Sequence, residues 1–415
     1  MLGASATLAT TDMIWRQGLS GLAFLGVGVP ALLLLAWLAP RIRASRAWAL
    51  SDLLAVHGGR ARDLGAVVVS LAWLGVLAAQ VVALSSAAEL ILPQMGRPLA
   101  FTSSGVVLVV VTLGGQRAVL RTDRSELALL FLGLGAAVTW ALVSGGGPAA
   151  SLGGIAERLS GSPELLRFPL REGFGIEALL ALGLVVGLPY LSGPDMYGRL
   201  LSSESPAAAR RACFLAVGGL IVALAMLVYL ALWARAHQLS APPVMLFGLI
   251  PSLPPLVGLL LFVALLAAIM SSADTVLFSG VTNLARIART TSHHESASRW
   301  RLRPLVALYG LAGIGVAWLA PDLISSLLVG YSLFTGALVV PVLVSLFGYR
   351  GAPAFVLAGM GLGGLGAAAA KAAQVAGMLD ASVASYGIIA ALAGNLVLTI
   401  IGVVKGPGRS EAQGP

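Results

Sequence analysis

Two adjacent hydroxyls and a carboxylate, on Ser271, Ser272 and Asp274, lie in the otherwise apolar segment 265–275. Lipid offers no hydrogen-bond partners, so polar side chains in a membrane helix mostly face a cavity, another helix or an ion. These residues are therefore candidates for a site. In a second interpretation, the serines donate back to carbonyls one turn earlier and Asp274 reaches water at the membrane edge.

The composition shows what kind of protein contains this segment. Hydrophobic residues make up 58% of the 415 residues and charged residues only 10%, and the mean hydropathy is +0.94. No soluble globular domain of ordinary composition has these values. At about 20 residues per span, the chain has room for roughly eleven helices joined by short loops. The sequence predicts one all-α, polytopic membrane domain, and its single cysteine, Cys213, excludes an internal disulfide.

The formal charge of +9 could indicate either a nucleic-acid partner or a topology signal. Nineteen of the 26 Lys and Arg residues fall in one alternating set of segments, six fall in the other set, and Lys371 lies inside a predicted span. Cytoplasmic loops of bacterial membrane proteins collect basic residues. We therefore expect a bacterial cytoplasmic membrane protein with a cytoplasmic C-terminus. The basic residues are spread over six segments, which argues against a nucleic-acid partner.

Two apolar helices contain sequence features that interrupt helices. One lies around residues 3–7, which begin with a glycine, and the other lies around Gly187 and Pro189. Discontinuous helices at corresponding places in two halves of a chain are typical of transporters built from inverted repeats. In such proteins the binding site lies near the middle of the membrane, beside the interruptions.

Three motifs carry a resemblance to a known family. They are residues 267–274 (Ala-Ala-Ile-Met-Ser-Ser-Ala-Asp), residues 111–123 with their Gly-Gly-Gln-Arg-Ala-Val turn, and residues 195–199 (Asp-Met-Tyr-Gly-Arg) followed by an alanine- and arginine-rich stretch at 207–212. In this order they resemble the sodium:solute symporter family, which includes proline, pantothenate and sugar symporters. The resemblance covers residues 1–350. It implies a leucine-transporter-type fold of two inverted five-helix repeats with additional peripheral helices.

The resemblance also implies a sodium site. In that family the ion lies between the first and eighth core helices, which here supplies the Ala268 carbonyl and the Ser271 and Ser272 hydroxyls as ligands. On the first helix we place carbonyl ligands at Ala4 and Thr7. A set of neutral oxygens suits a hard cation that must also be released. Na⁺ is thus the expected coupling ion, and no other cofactor is expected.

The solute is expected beside the ion, among four core helices. Polar and aromatic side chains at the corresponding positions are the candidate solute ligands: Ser5, Gln80, Tyr190, Tyr331 and Phe334. Each also has an ordinary structural role open to it, either a hydrogen bond between helices or packing. Asp274 could draw the ion inward or stabilise the exit, or it could pair with a nearby Arg or with Thr275.

The domain prediction follows from these assignments. Residues 1–350 form the transporter core, residues 351–404 two peripheral helices, and residues 405–415 a short cytoplasmic tail. Family members have a further helix before the first core helix. We therefore expect either a start codon upstream of Met1 or a shortened paralogue.

The predicted function is a sodium-coupled secondary-active symporter that imports a small organic solute by alternating access, without enzymatic chemistry. A transport-inactive sensor or scaffold with the same fold is one alternative. A membrane-embedded transferase is another, but it would need an acid, base or metal cluster at the membrane surface that the sequence does not offer. A proton-coupled carrier, with Asp274 or Glu89 carrying the proton, is a narrower alternative.

Overall fold

The computed structural model describes residues 4–45, 47, 49–112, 116–170, 172, 174–239, 244–287, 299–319, 322–406 and 408–409. Seventeen α-helices occur in these ranges, joined by short 3₁₀ segments, and a two-residue strand pair joins 349–350 to 408–409. In chain order the helices are α1 Ala4–Gln17, α2 Ala23–Gly26, α3 Gly28–Ala44, α4 Gly59–Ile91, α5 Arg97–Thr112, α6 Gln116–Ser144, α7 Pro148–Leu159, α8 Ile176–Leu182, α9 Leu188–Ser192, α10 Pro194–Leu201, α11 Pro206–Ala236, α12 Met245–Leu249, α13 Pro255–Ile287, α14 Arg299–Leu319, α15 Leu323–Leu346, α16 Pro353–Val375 and α17 Ala381–Lys405.

The predicted membrane character is confirmed. Nine stretches of the described chain are helical, long and apolar enough to cross a membrane, and two shorter apolar helices lie at Arg97–Val109 and Arg303–Leu319. Large apolar side chains such as Leu132, Leu215 and Leu365 are more than half exposed. An exposed apolar surface of this kind is expected where helices face lipid rather than water.

Among the nine membrane-length stretches of the described chain, α4 is the most buried, and it packs against α13, α14 and α15. Small residues allow these helices to approach closely. A Cβ added at Gly75 would lie 2.6 Å from the carbonyl oxygen of Ser326 in α15. Each of α4 and α13 is 33 residues long, so this central pair spans the full thickness of the bundle.

The helix interruption predicted at residues 3–7 is wrong for residues 4–7, which are the part of it that the structure describes. Residues 4–7 belong to the continuous helix α1, whereas residues 1–3 lie outside the described chain. Alanine, which alternates with hydroxyl residues here, is the strongest helix former and gives the helix no reason to break. After α1 the chain turns through Gly18, whose φ is +67°, and continues through a 3₁₀ segment to α2 and α3.

The second interruption is confirmed, and it is more extensive than the sequence indicates. A π-helical segment at Gly183–Gly187 joins α8 to α9. The chain is then extended at Gly193, with ψ at 141°, before α10 begins. Wider helical turns and extended residues inside a membrane helix are usually associated with function.

A proline in α15 is compensated by a neighbouring helix. Pro341 has no N–H, so the carbonyl of Ala337, one turn earlier, lacks its usual donor. The side-chain amide of Asn395 in α17 donates to this carbonyl at 3.1 Å and to that of Gly336 at 2.6 Å. Thr399 donates to Oδ1 of Asn395 at 3.0 Å, which orients the amide. The last helix, α17, is therefore hydrogen-bonded to the backbone of α15.

His57 connects three segments near the end of α15. The imidazole is 1% exposed. Its Nδ1 accepts from the Gly351 N–H at 2.9 Å, and its Nε2 lies 2.9 Å from the Ser345 hydroxyl, which donates to the Pro341 carbonyl at 2.8 Å. Burial lowers the pKa of His57 below its usual 6.5, and the contact with the Pro341 carbonyl opposes this shift.

Candidate functional site

The break between α9 and α10 turns both of these helices toward one cavity. The Gly193 N–H donates to the Pro189 carbonyl at 2.7 Å, and the Tyr197 N–H donates to the Gly193 carbonyl at 3.0 Å. A Cβ at Gly193 would lie 2.5 Å from the Pro189 oxygen and 2.7 Å from Oδ1 of Asp195, so this bend requires glycine. Tyr190 and Asp195 are thereby placed on either side of the bend.

The hydroxyl cluster of α13 lies on the opposite wall. Ser272 donates to the Ala268 carbonyl at 2.8 Å, and Thr275 donates to the Ser271 carbonyl at 3.0 Å. The back-bonding interpretation is therefore confirmed for Ser272. The cavity interpretation is supported as well, because both serines line the cavity. A hydroxyl that donates its proton still has lone pairs with which to accept or to coordinate.

The cavity contains about 680 Å³ of empty space, part of it open to solvent. It is bordered by five helical segments, namely α1, α4, the α9–α10 break, α13 and α15, the last through Tyr331. Its lining residues are Ala6, Trp73, Val76, Pro189, Tyr190, Asp195, Met196, Arg199, Ser271, Ser272, Thr275, Val276 and Tyr331. Aromatic, hydroxyl and charged groups thus converge between otherwise apolar helices, as is typical of a small-molecule site.

Four of the predicted side chains line this cavity: Ser271, Ser272, Tyr190 and Tyr331. Ala268 is 4% exposed, and its carbonyl accepts the Ser272 hydroxyl. On α1, Ala6 reaches the cavity wall, whereas Thr7 is buried with its carbonyl accepting from Thr11 at 3.1 Å. Ala4 is the first residue of α1, and the side chains of Ala4 and Ser5 lie outside the described structure.

Three predicted side chains are not part of the cavity lining. Gln80 is fully buried one turn beyond Val76, to whose carbonyl its amide donates at 3.4 Å. Phe334 is also fully buried and contacts Trp73 edge-on, with ring centroids 4.9 Å apart. Asp274 is 7% exposed and lies away from the lining. Phe334 therefore supports a wall of the cavity rather than forming it.

Sequence reasoning missed four polar or aromatic lining residues: Trp73, Asp195, Arg199 and Thr275. Thr275 could have been found, since it follows Ser271 by one helical turn and shares its face. In the sequence, Asp195 and Arg199 belong to the motif at 195–199, and that motif alone does not place them at a cavity. The bend at Gly193 brings them into the cavity, and an extended residue there was not predicted. The motif at 111–123 lies in a region whose side chains are outside the described structure.

The charged side chains that line the cavity, Asp195 and Arg199, both belong to α10. Asp195 is partly exposed and lines the cavity together with Tyr190 and Tyr331. Arg199 follows one turn later on α10. Within the described ranges, no group of three or more His, Cys, Asp or Glu residues is placed to hold a metal ion.

A polar contact away from the cavity joins α1 to α12. Oδ1 of Asp12, a residue only 4% exposed, accepts from the N–H of Met245 at 2.7 Å. Met245 begins the short helix α12, which packs against α1. The far end of α1 is thus fixed to the connection between α11 and α13.

Known proteins share this arrangement of helices. No family model and no curated protein matches the chain. Among solved structures, a Na⁺-coupled sialic acid symporter in a substrate-bound outward-open state matches 99% of this chain and 88% of its own, with a TM-score of 0.72 and 16% identity. A manganese transporter mutant from Eremococcus coleocola matches 97% of this chain and 94% of its own, with a TM-score of 0.55 and 16% identity. At this identity the comparison establishes the fold: the chain is an all-α, polytopic membrane protein with the fold of helical membrane transporters.

Proposed function

We propose that the protein is a sodium-coupled secondary-active symporter that imports a small organic solute by alternating access. The observation that carries this proposal is the convergence of Ser271 and Ser272, Ala6 of α1 and the α9–α10 break on one cavity. Discontinuous helices beside a polar cavity are the usual binding region of secondary transporters. The similarity to a solved Na⁺-coupled symporter supports the same conclusion.

The two halves of the chain support the proposed leucine-transporter-type architecture. We assign α1, α3, α4, α5 and α6 to the first repeat, and the interrupted helix α8–α10, α11, α13, α14 and α15 to the second. The central members of the two repeats, α4 and α13, are equally long and pack against each other. Residues 1–350 are then the core, residues 351–404 the peripheral pair α16–α17, and residues 405–415 the tail.

The proposed sodium site lies between α1 and α13. Its ligands are the Ala268 carbonyl, the Ser271 and Ser272 hydroxyls, and the carbonyls of Ala4 and Thr7. The oxygens fit this role because the Ser272 proton is directed at the Ala268 carbonyl, which leaves the lone pairs of the hydroxyl for a cation. A bound Na⁺ would supply positive charge that couples solute binding to the ion gradient. The ligands are neutral, which favours release of the ion.

The proposed solute position is the wall formed by Tyr190 and Tyr331. Phe334 supports it from behind through Trp73, and Gln80 and Ser5 remain candidates at its edge.

Asp274 is a candidate for a role in ion release, since it follows Ser271 by three residues on α13. The basic loops support a cytoplasmic C-terminus in a bacterial cytoplasmic membrane, and with this orientation the Asp195 side of the cavity faces the cytoplasm.

Uptake into proteoliposomes tests this function. Labelled amino acids, carboxylates, sugars and quaternary amines are supplied with and without an inward sodium gradient. A transported solute should accumulate only with the gradient, and Ser271→Ala and Ser272→Ala should each raise the half-saturating sodium concentration by about tenfold or more, which is about 1.4 kcal/mol.

Ser332→Ala is the matched control. This serine is fully buried in a membrane helix and, like Ser272, donates to the carbonyl one turn earlier, that of Leu328, at 2.8 Å, but it does not line the cavity. Its loss should leave the sodium dependence unchanged. Sodium-independent uptake that Asp274→Asn abolishes, with both serine variants harmless, would contradict the sodium site in favour of proton coupling. Binding without flux would favour the sensor alternative.

A further inference from the structure

The Asp195 carboxylate is the most informative group in the cavity that the proposed sodium site does not use. It is partly exposed, and it lines the cavity at the start of α10. Among the residues that the structure describes, no basic side chain forms a salt bridge with it. A carboxylate inside a membrane bundle is costly to maintain, so its presence in a cavity wall indicates a cationic partner.

Three aromatic side chains border the same space. Trp73 and Tyr331 have ring centroids 6.2 Å apart with their planes inclined by 49°. Tyr190 lines the same cavity as Tyr331 and Asp195. Aromatic faces attract cations through their quadrupole, most strongly where water is excluded.

The positions of these rings are fixed by the surrounding helices. The edge contact with Phe334 holds Trp73. Tyr190 lies over Gly28 of α3, where an added Cβ would be 3.3 Å from the ring. Rings that cannot rotate away form a preorganised surface, which lowers the entropic cost of binding.

The chemistry of this wall differs from that of the serine side. A small, strongly hydrated ion such as Na⁺ requires several oxygens at short range, which α13 provides. Aromatic rings with one carboxylate suit an ammonium group, which the carboxylate attracts by its charge and the ring faces attract through their quadrupole. Arg199 adds a positive charge one turn away, which disfavours a solute with two positive charges.

We propose that the transported solute carries a single ammonium group, primary to quaternary, that binds between Asp195 and the rings of Trp73, Tyr190 and Tyr331. This inference rests on the proposed transport function and names the chemical class of its solute. An organic cation and a zwitterion share this ammonium chemistry, and the test separates them.

Binding and uptake are measured on the purified full-length protein in nanodiscs and proteoliposomes. The ammonium probes are tetramethylammonium, choline, glycine betaine and the proteinogenic amino acids, and the other probes are myo-inositol and pyruvate. At least one ammonium probe should bind and accumulate, and the two probes without nitrogen should not. Preference for choline would identify an organic cation, whereas preference for betaine or an amino acid would identify a zwitterion.

Asp195→Asn should weaken binding of the preferred ammonium probe by at least about tenfold, and Asp195→Glu, which keeps the charge, should weaken it less. Asp63→Asn is the matched control, because Asp63 is exposed and paired with Arg62 at 2.8 Å on the surface. Trp73→Leu should weaken binding more than Trp73→Phe, and this pair remains informative if the Asp195 variants do not fold.

The two proposals fail in different ways. Accumulation of myo-inositol or pyruvate alone, or the absence of binding by every ammonium probe, would overturn the ammonium site. An Asp195→Asn variant with altered sodium dependence but unchanged ammonium affinity would also overturn it. Ammonium binding that depends on Asp195 without any flux would leave the site intact and contradict the transport function.

Discussion

A single imidazole shows how a buried residue can fix its own protonation state. Because the Gly351 N–H donates to Nδ1 of His57, the neutral ring carries its proton on Nε2 and donates it to Ser345. Ser345 then completes the chain by donating to Pro341. A doubly protonated ring could not accept from Gly351. The contact among the three segments therefore requires the neutral form.

This requirement predicts a loss of stability at low pH. Burial lowers the pKa of His57 in the folded protein, so the unfolded chain takes up a proton first as the pH falls through about 6.5. Stability is then full above that value and decreases below it until the folded pKa is reached, by about 1.4 kcal/mol per unit of pKa difference. Thermal unfolding of detergent-purified protein between pH 7.5 and 5.5 measures the effect. His57→Gln should give a flatter profile, and parallel profiles would contradict the prediction.

Residues of the candidate site differ in how far the sequence could predict them. Ser271, Ser272, Tyr190 and Tyr331 are polar groups in apolar helices, and all four line the cavity. Gln80 satisfied the same criterion but lies off the lining, because a polar residue in a helix does not by itself indicate which face it occupies. Phe334 follows Tyr331 by three residues on α15, so the two side chains leave the helix in different directions. Phe334 therefore packs behind the cavity wall, against Trp73.

Among the helices, α15 of the proposed core depends on a hydrogen bond from α17, which lies outside the two proposed repeats. The break that Pro341 introduces is satisfied by Asn395, which belongs to a helix outside the proposed repeats. A Cβ on Gly359 would lie 2.7 Å from Oδ1 of Asn395, so α16 must also approach closely. The last two helices thereby hold the helix that carries Tyr331.

A double-mutant cycle tests this compensation. Asn395→Leu removes the donor and leaves two buried carbonyls with less hydrogen bonding, so it should destabilise the protein by about 1–3 kcal/mol. Pro341→Ala restores a backbone N–H for Ala337. In that background the cost of Asn395→Leu should be smaller by about 0.5 kcal/mol or more. Thermal unfolding of the four proteins gives the coupling, and an equal cost in both backgrounds would show that Asn395 does not compensate for the proline.

The sequence predicted the membrane-length helices correctly, because the length of an apolar stretch indicates them. It predicted the positions of the helix breaks less well, because these depend on the backbone conformation of single residues. Membrane-length apolar helices follow from hydropathy alone and are present. The break near Gly187 follows from glycine and proline, but its extended residue is Gly193, which allows close approach of Pro189 and Asp195. The break expected at residues 4–7 relied on a glycine at position 3, and the alanine-containing sequence after it continues as a helix.

At the scale of the whole molecule, the two ends of α1 lie in different surroundings. Ala6 borders the cavity, whereas Asp12 is bonded to α12 through the Met245 N–H. In the proposed orientation, α12 lies on the external side, and Asp195 and Arg199 line the cytoplasmic side of the cavity. Under the proposed alternating access, this external contact has to open in the outward-facing state.

Labelling of an introduced cysteine tests the closure. In a Cys213→Ser background, Ala6→Cys should react with a membrane-impermeant maleimide mainly from the cytoplasmic side. Asp12→Ala removes the bond to α12 and should increase labelling from outside by about threefold or more, because a typical hydrogen bond inside a protein contributes about 0.5–1.5 kcal/mol. Asp380→Ala is the control, since Asp380 is exposed before α17 and its side chain makes no cap bond there. Equal external labelling with and without Asp12 would contradict a closing role.

The bond between Asn395 and α15 also bears on how the chain is made. The amide donor follows the Ala337 carbonyl by 58 residues. At a synthesis rate of about 5–20 residues per second, α15 leaves the ribosome roughly 3–12 seconds before its partner does. During that interval the weakened turn at Pro341 has no amide from α17 to complete it. Arrival of the last helix is therefore the step that finishes α15, and the insertion machinery must hold an incomplete bundle until then.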